Sequence, residues 1–322
     1  MSKYEWHERF EVYEYADLSR QAHRRQSELN NPQKKRKPNG RVTAALSDFD
    51  DRASEWVPTY CAPLDPRHYE RQWVIDALSG FYRDELITDV THLVKGGKEA
   101  NVYCCEAHPH TGAALLAAKI YRPKMLRHLK NDAIYKEGRL LRDAAGKPLF
   151  GPARREKLAM VQKTRFGQEL DTLLWIGNEF AVQRELFEAG ADVPRPVAHS
   201  GHTILMAYLG EQGMAAPVLS DVSLTREEAQ PLCERILHNV ELMLAHNYVH
   251  GDLSAYNILY WEGEVTIIDF PQLVDARSNP HAAALLERDV QRVCDYFGRL
   301  GIKTEPAQVA TNLWGRYLRG EL

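Results

Sequence analysis

The stretch that most constrains this chain runs over residues 246–272, HNYVHGDLSAYNILYWEGEVTIIDFPQ. His250-Gly251-Asp252 is followed by four residues and then Asn257. Two β-favouring runs come next, over 258–261 and 265–268, joined across Glu262-Gly263 and ending on Asp269. Short apolar runs around a glycine-containing turn predict a β-hairpin. An antiparallel hairpin brings its two ends together, so Asn257 and Asp269 are expected side by side. Asp252, in the loop just before, is expected to face the same space. An amide oxygen with a carboxylate suits Mg²⁺, and a second carboxylate can orient or deprotonate a nucleophile. An isolated Asp or Asn near a turn is usually there for turn chemistry; the ordered set points instead to phosphoryl transfer.

Protein kinases carry H-R-D, four residues, Asn and then D-F-G beyond a hairpin. Here the spacing from Asp252 to Asn257 is the same, while Gly251 replaces Arg and Asp269-Phe270-Pro271 replaces D-F-G. Upstream, apolar residues Trp73, Ala77, Leu78 and Phe81 predict a helix within 69–86. Strands are predicted over 87–94, 102–107 and 114–121, with a glycine turn between the first two and a His-Pro-His-Thr-Gly turn before the third. Gly96 and Gly97 let backbone approach phosphates closely, and Lys98, Glu99, Ala100, Asn101 and Val102 complete the candidate nucleotide loop. Lys119 is the only charge in its strand and can reach the α- and β-phosphates. The plainer alternatives are a hairpin closed by Gly-Gly and a gatekeeper lysine on an edge strand.

A helix over 175–189 carries Glu179, the first choice to pair with Lys119, and Glu185, the reserve. A strand over 203–209 is expected to offer adenine the carbonyl of Ala207 and the amide of Leu209, with Met206 as an adaptable apolar wall. A helix over 224–247 opens with Thr225 as N-cap and early acids. His246 and His250 have metal-ligand spacing but no evident third ligand, so His250 reads as a packed brace for the Asp252 loop. Arg288-Asp289-Val290 falls in a helix running to Leu300, which leaves little chain behind Asp269 for docking a peptide.

The expected fold is α+β: a bilobal, protein-kinase-like arrangement with a small antiparallel N-lobe sheet and helix, a mostly helical C-lobe and a truncated activation segment. The boundaries read as an extension over 1–67, an N-lobe over 68–206 with a basic insertion over 122–165, and a C-lobe over 207–322. The insertion holds thirteen Lys/Arg against four Asp/Glu in a chain of net charge −3, which makes it the candidate contact for RNA. A second basic run lies at 34–37. Five cysteines without metal-ligand spacing suit a reducing compartment, and neither a signal peptide nor a membrane span is apparent. The chain is expected to be cytoplasmic.

The strings KEANVY (98–103), VHGDLSAYN (249–257) and IDFPQ (268–272) together resemble the RIO family of atypical protein kinases. The likeness covers roughly 68–310. It implies a two-lobed kinase using ATP and Mg²⁺, with Lys119 on the phosphates, Asp252 as catalytic aspartate, and Asn257 and Asp269 holding metal. It also implies a phospho-aspartate at Asp269, a protein substrate or self as acceptor, and a role in small-ribosomal-subunit maturation. Leu253-Ser254 is similar to one branch and His250-Gly251-Asp252 with Phe270-Pro271-Gln272 to another, a mixture that suggests a bacterial-type member. Two further readings compete. One is a small-molecule kinase of the aminoglycoside or choline type; the other is an RNA-binding assembly factor with a nucleotide switch.

Overall fold

The computed structural model describes residues 56–122 and 164–322. The basic run 34–37, most of the 1–67 extension and nearly all of the 122–165 insertion lie outside the described residues. The described chain divides into two compact units. Residues 56–122, 164–173 and 198–205 belong to the first, and 174–197 and 206–322 to the second.

In the first unit, α1 (Tyr69–Arg83) buries Val74, Leu78 and Phe81, the one-face spacing of a surface helix. It stops short of the predicted residue 86 because Glu85 takes a left-handed conformation, φ 56°. β1 (Ile87–Gly96), β2 (Ala100–Ala107) and β3 (Leu115–Tyr121) follow as an antiparallel meander. After α2 (Arg165–Glu188) come β4 (Pro196–Ser200) and β5 (Thr203–Ala207), which complete a five-stranded sheet of order β1-β2-β3-β5-β4. β3 is therefore interior to the sheet, and the edge-strand explanation for Lys119 does not apply. α2 starts ten residues before the predicted 175, where polar residues such as Glu169 and Asp171 obscure the apolar period. β5 ends at Ala207 rather than 209 because the chain turns into the short hairpin β6 (Gly210–Glu211) and β7 (Met214–Ala215). Gly210, at φ 120°, is required there, since a Cβ would lie 2.3 Å from the Met214 carbonyl oxygen.

The second unit is built on α3 (Arg226–Ala245), α4 (Ala282–Gly298) and α5 (Pro306–Leu318). α3 opens with a capping box: Glu228 N–H donates to Thr225 Oγ1 at 3.3 Å, and Thr225 N–H donates to Glu228 Oε2 at 2.8 Å. Between α3 and α4 run β8 (Tyr248–Val249), the hairpin β9 (Ile258–Trp261) and β10 (Glu264–Ile267), and β11 (Val274–Asp275), which pairs with β8. One continuous core joins Leu232, Ile236 and Val240 of α3 to Leu286, Val290 and Phe297 of α4. All five cysteines are free and buried, and burial pushes the Cys61 thiol up to about 11 and that of Cys233 up to about 12. No helix among the described residues is long and apolar enough to cross a membrane.

Candidate active site

The hairpin forms where the sequence predicts it. Glu262 and Gly263 have φ 50° and 87°, the left-handed pair of a type I′ turn, which matches the twist of the flanking strands. Register runs from Glu264↔Trp261 to Ile267↔Ile258, and the Ile268 N–H donates to the Asn257 carbonyl at 2.9 Å. Asn257 thus lies opposite Ile268, and Asp269 follows at once in a left-handed conformation, φ 72°. Asn257 Nδ2 donates to the Asp252 carbonyl at 2.9 Å and approaches Asp252 Oδ2 at 3.4 Å. With its nitrogen committed to Asp252, the amide turns its oxygen the other way. Amide and carboxylate oxygens are hard donors, so Asn257 and Asp269 fit a Mg²⁺ ion.

The loop that presents Asp252 is gripped on several sides. His250 is 2% exposed. Its Nε2–H donates to the Ile268 carbonyl at 3.2 Å, and its Nδ1 accepts the Asp252 N–H at 3.3 Å, which together select the neutral ring. The ring packs on Phe270 with centroids 5.2 Å apart. From α4, the Asp289 carboxylate accepts the Gly251 N–H at 2.7 Å and the Leu253 N–H at 3.2 Å. Arg288 donates to the Gly251 carbonyl, and Arg292 Nη1 lies 2.8 Å from Asp252 Oδ1. Burial pushes the Asp289 carboxyl up to about 7, against the lowering pull of those backbone N–H groups, Arg288 and Arg292.

Sequence reasoning used Asp289 only as a helix marker and did not single out Arg292. A signal was there. On α4 the buried residues Leu285, Leu286, Asp289, Val290, Val293, Cys294 and Phe297 make one helical stripe, and Asp289 is its only charge. A carboxylate in an apolar stripe needs donors, and the loop over 250–253 supplies them. Trp175, an apolar residue of the expected 175–189 helix, also donates its Nε1–H to the Pro271 carbonyl at 3.2 Å, two residues beyond Asp269.

The remaining predicted residues fall in both units. In the first, Gly96 pairs with Asn101 across the turn, and a Cβ on Gly97 would lie 2.7 Å from the Ala100 carbonyl oxygen. The turn itself therefore needs Gly97. Lys98 is exposed, and the Glu99 carbonyl accepts the Arg122 N–H at 2.8 Å. Asn101 is buried and points inward, donating to Tyr103 Oη at 3.0 Å and accepting from Arg122 Nη2 at 2.9 Å. Val102 pairs with Lys119, which is 8% exposed with its Nζ 5.0 Å from the centre of the Tyr121 ring. In the second unit, Glu179 is 4% exposed on α2. Glu185 accepts from Tyr248 Oη at 2.8 Å and lies 3.5 Å from His246 Nδ1, so its carboxylate is engaged on its own side of the helix. Met206 Sδ accepts from Gln183 at 3.7 Å. The Ala207 N–H donates to Arg195 and the Leu209 carbonyl accepts from Ala216. Both are the opposite groups to the pair expected to meet adenine.

A five-stranded antiparallel sheet with a glycine turn and an interior lysine, followed by a helical unit carrying the Asp252–Asn257–Asp269 loop and hairpin, defines a protein-kinase-like fold. Residues 154–310 match the RIO domain. The chain is 30% identical over 262 residues to serine/threonine-protein kinase rio1 of Schizosaccharomyces pombe, covering 80% of this chain and 46% of that protein. It is 30% identical over 230 residues to serine/threonine-protein kinase RIO1 of Chaetomium thermophilum, covering 68% and 41%. It is 32% identical over 136 residues to RIO-type serine/threonine-protein kinase Rio1 of Thermoplasma acidophilum, covering 42% of this chain and 70% of that protein. The chain belongs to the RIO family. The matched region spans less than half the length of the fungal relatives.

Proposed function

We propose that this chain is an ATP- and Mg²⁺-dependent atypical Ser/Thr kinase that phosphorylates a protein or itself, with ATP hydrolysis as its turnover when no acceptor is bound. The observation that carries the reading is the single cluster in which Asn257 bonds Asp252 and the Ile268–Asn257 pairing sets Asp269 alongside. The serine/threonine kinase names of the relatives support it. Asp252 orients the attacking hydroxyl or water and takes its proton; Arg292 holds Oδ1, while Oδ2, approached among the described residues only by Asn257 at 3.4 Å, faces the acceptor. Asn257 and Asp269 hold Mg²⁺, which when bound neutralises the nucleotide phosphates. Lys119 contacts the α- and β-phosphates, the 96–102 loop covers them, and the Ala207 carbonyl and Leu209 amide meet adenine beside Met206. Of the two helical carboxylates, Glu185 is engaged by Tyr248 and His246, which supports Glu179 for the lysine-pairing role.

A bacterial-type member acting in the cytoplasm fits five buried free thiols. RNA or ribosome contact through 122–165 rests on the charge of that segment. One observation favours a second reading. Only residues 270–281 separate Asp269 from α4, which suits a kinase of small molecules as well as one with a reduced peptide platform. Incubation with γ-labelled ATP followed by locating the label tests both. Label on Ser/Thr or acid-labile label on Asp269 supports the protein-kinase reading. Turnover driven by an aminoglycoside or choline replaces it with the small-molecule one, and no label or phosphate release refutes both.

A further inference from the structure

At one end of the first unit's sheet, two turns meet without any role in nucleotide chemistry. One joins α1 to β1 and carries Glu85; the other joins β2 to β3 and carries His108 and His110. The two Nδ1 atoms are 2.6 Å apart, with ring centroids separated by 4.6 Å. Glu85 joins them: one ligand atom from each of Glu85, His108 and His110 lies within 4.8 Å of the other two. Among the described residues no other group of three His, Cys, Asp or Glu converges in this way.

The backbone is built to hold them there. The His108 N–H donates to the Leu86 carbonyl at 3.0 Å, which fastens one turn to the other. Pro109–Thr111 form a 3-10 turn closed by Thr111 Oγ1 on the His108 carbonyl at 2.8 Å and by Gly112 at φ 67°. Glu85 keeps its side chain at a left-handed position, φ 56°, where Gly or Asn would be less strained. The His110 N–H approaches His108 Nδ1 at a long 3.5 Å, a contact that the ion would replace.

We propose that Glu85, His108 and His110 form a binding site for a divalent transition-metal ion of the zinc class, a staple between the α1–β1 and β2–β3 turns. Two imidazoles and a carboxylate are the donor set of Zn²⁺, Co²⁺ or Ni²⁺ and a poor one for Mg²⁺. Zn–N bonds of about 2.0–2.1 Å at a tetrahedral angle set the two nitrogens roughly 3.3 Å apart. The rings need to part by less than about 1 Å to admit the ion. Glu85 and His110 are exposed, so it enters from solvent, and water fills the fourth position. The five thiols, all buried, are out of competition in the folded chain.

The test is calorimetric titration of the chelator-stripped full chain with ZnCl₂ in excess Mg²⁺, which saturates hard-cation sites. The wild type should bind one Zn²⁺ per chain and melt at a higher temperature with it. Losing a direct ligand should cost more than the roughly 10–100-fold that outer-shell changes cost. His108→Ala and His110→Ala should each show that loss, and Glu85→Gln a smaller one. Co²⁺ in place of Zn²⁺ should give tetrahedral visible absorption that His110→Ala abolishes. His110→Ala should keep the metal-free melting temperature and the ATP turnover of the wild type, which separates lost ligation from lost folding. Absence of Zn²⁺ binding, or wild-type affinity in both histidine variants, would overturn the site.

Discussion

The turn between β1 and β2 and the loop from His250 to Leu253 are both proposed for the nucleotide chemistry, and they are held in opposite ways. The first keeps its shape with backbone: Gly96 pairs with Asn101, and Gly97 passes so close to the Ala100 carbonyl that no side chain fits. The second is fixed by side chains from elsewhere in the sequence. His250 ties it to Ile268, and Asp289, Arg288 and Arg292 reach it from α4. A glycine turn can flex over a ligand that comes and goes. A carboxylate that must meet a reacting hydroxyl needs a scaffold that does not give, since misplacement by about 1 Å costs around 10²-fold in rate.

That contrast can be broken at its strongest point first. Asp269→Ala should lower ATP γ-phosphate turnover roughly 10³-fold or more; near-normal turnover would remove the hairpin from the chemistry. Asp289→Asn comes next. It leaves at least one of two buried backbone N–H groups unmet, which costs about 1–3 kcal/mol of stability, and the slackened loop should lose kcat about 10–100-fold with little change in KM for ATP. The same variant tests a pH dependence. Asp289 holds its proton more tightly in the folded protein than in the unfolded chain, with a folded pKa of about 7. Its contribution to stability is therefore fully present below the unfolded value of about 3.9 and is lost as pH rises through about 7. Urea melts of the wild type between pH 5 and 8 should carry a downward slope that Asp289→Asn lacks.

The turn should respond differently. Gly97→Ala must push the Ala100 carbonyl aside, and its effect should appear as a several-fold rise in KM for ATP with kcat largely kept. An equal fall in kcat would mean that the turn, too, is a rigid part of the catalytic frame. Smallest is Arg292→Ala. The ion pair with Asp252 is two-fifths exposed on each side, so its loss should change stability by less than about 1 kcal/mol in thermal melts.

The same contrast explains what could be read in the sequence. Local signals were enough for the hairpin at Glu262-Gly263 and the N-cap at Thr225, because each is specified by residues a few positions apart. Element ends were missed where tertiary contacts decide them, as at Glu85 and at the Gly210 turn. The grip of α4 on the loop over 250–253 joins residues about forty positions apart, Gly251 with Asp289 and Asp252 with Arg292. Nothing local announces such a bond except one carboxylate in an apolar stripe. No local signal ranks Glu179 against Glu185, and the bond from Tyr248 to Glu185 comes from 63 positions away.

The account stands on Asp252 and Asp269 acting as one device at the mouth of a single hairpin. A double-mutant cycle of ATP turnover, with Asp252→Ala, Asp269→Ala and the pair together, measures that directly. Groups that work as a unit are lost only once, so the double variant should be about as slow as the worse single variant. Losses that multiply, or a single variant that keeps wild-type turnover, would contradict it.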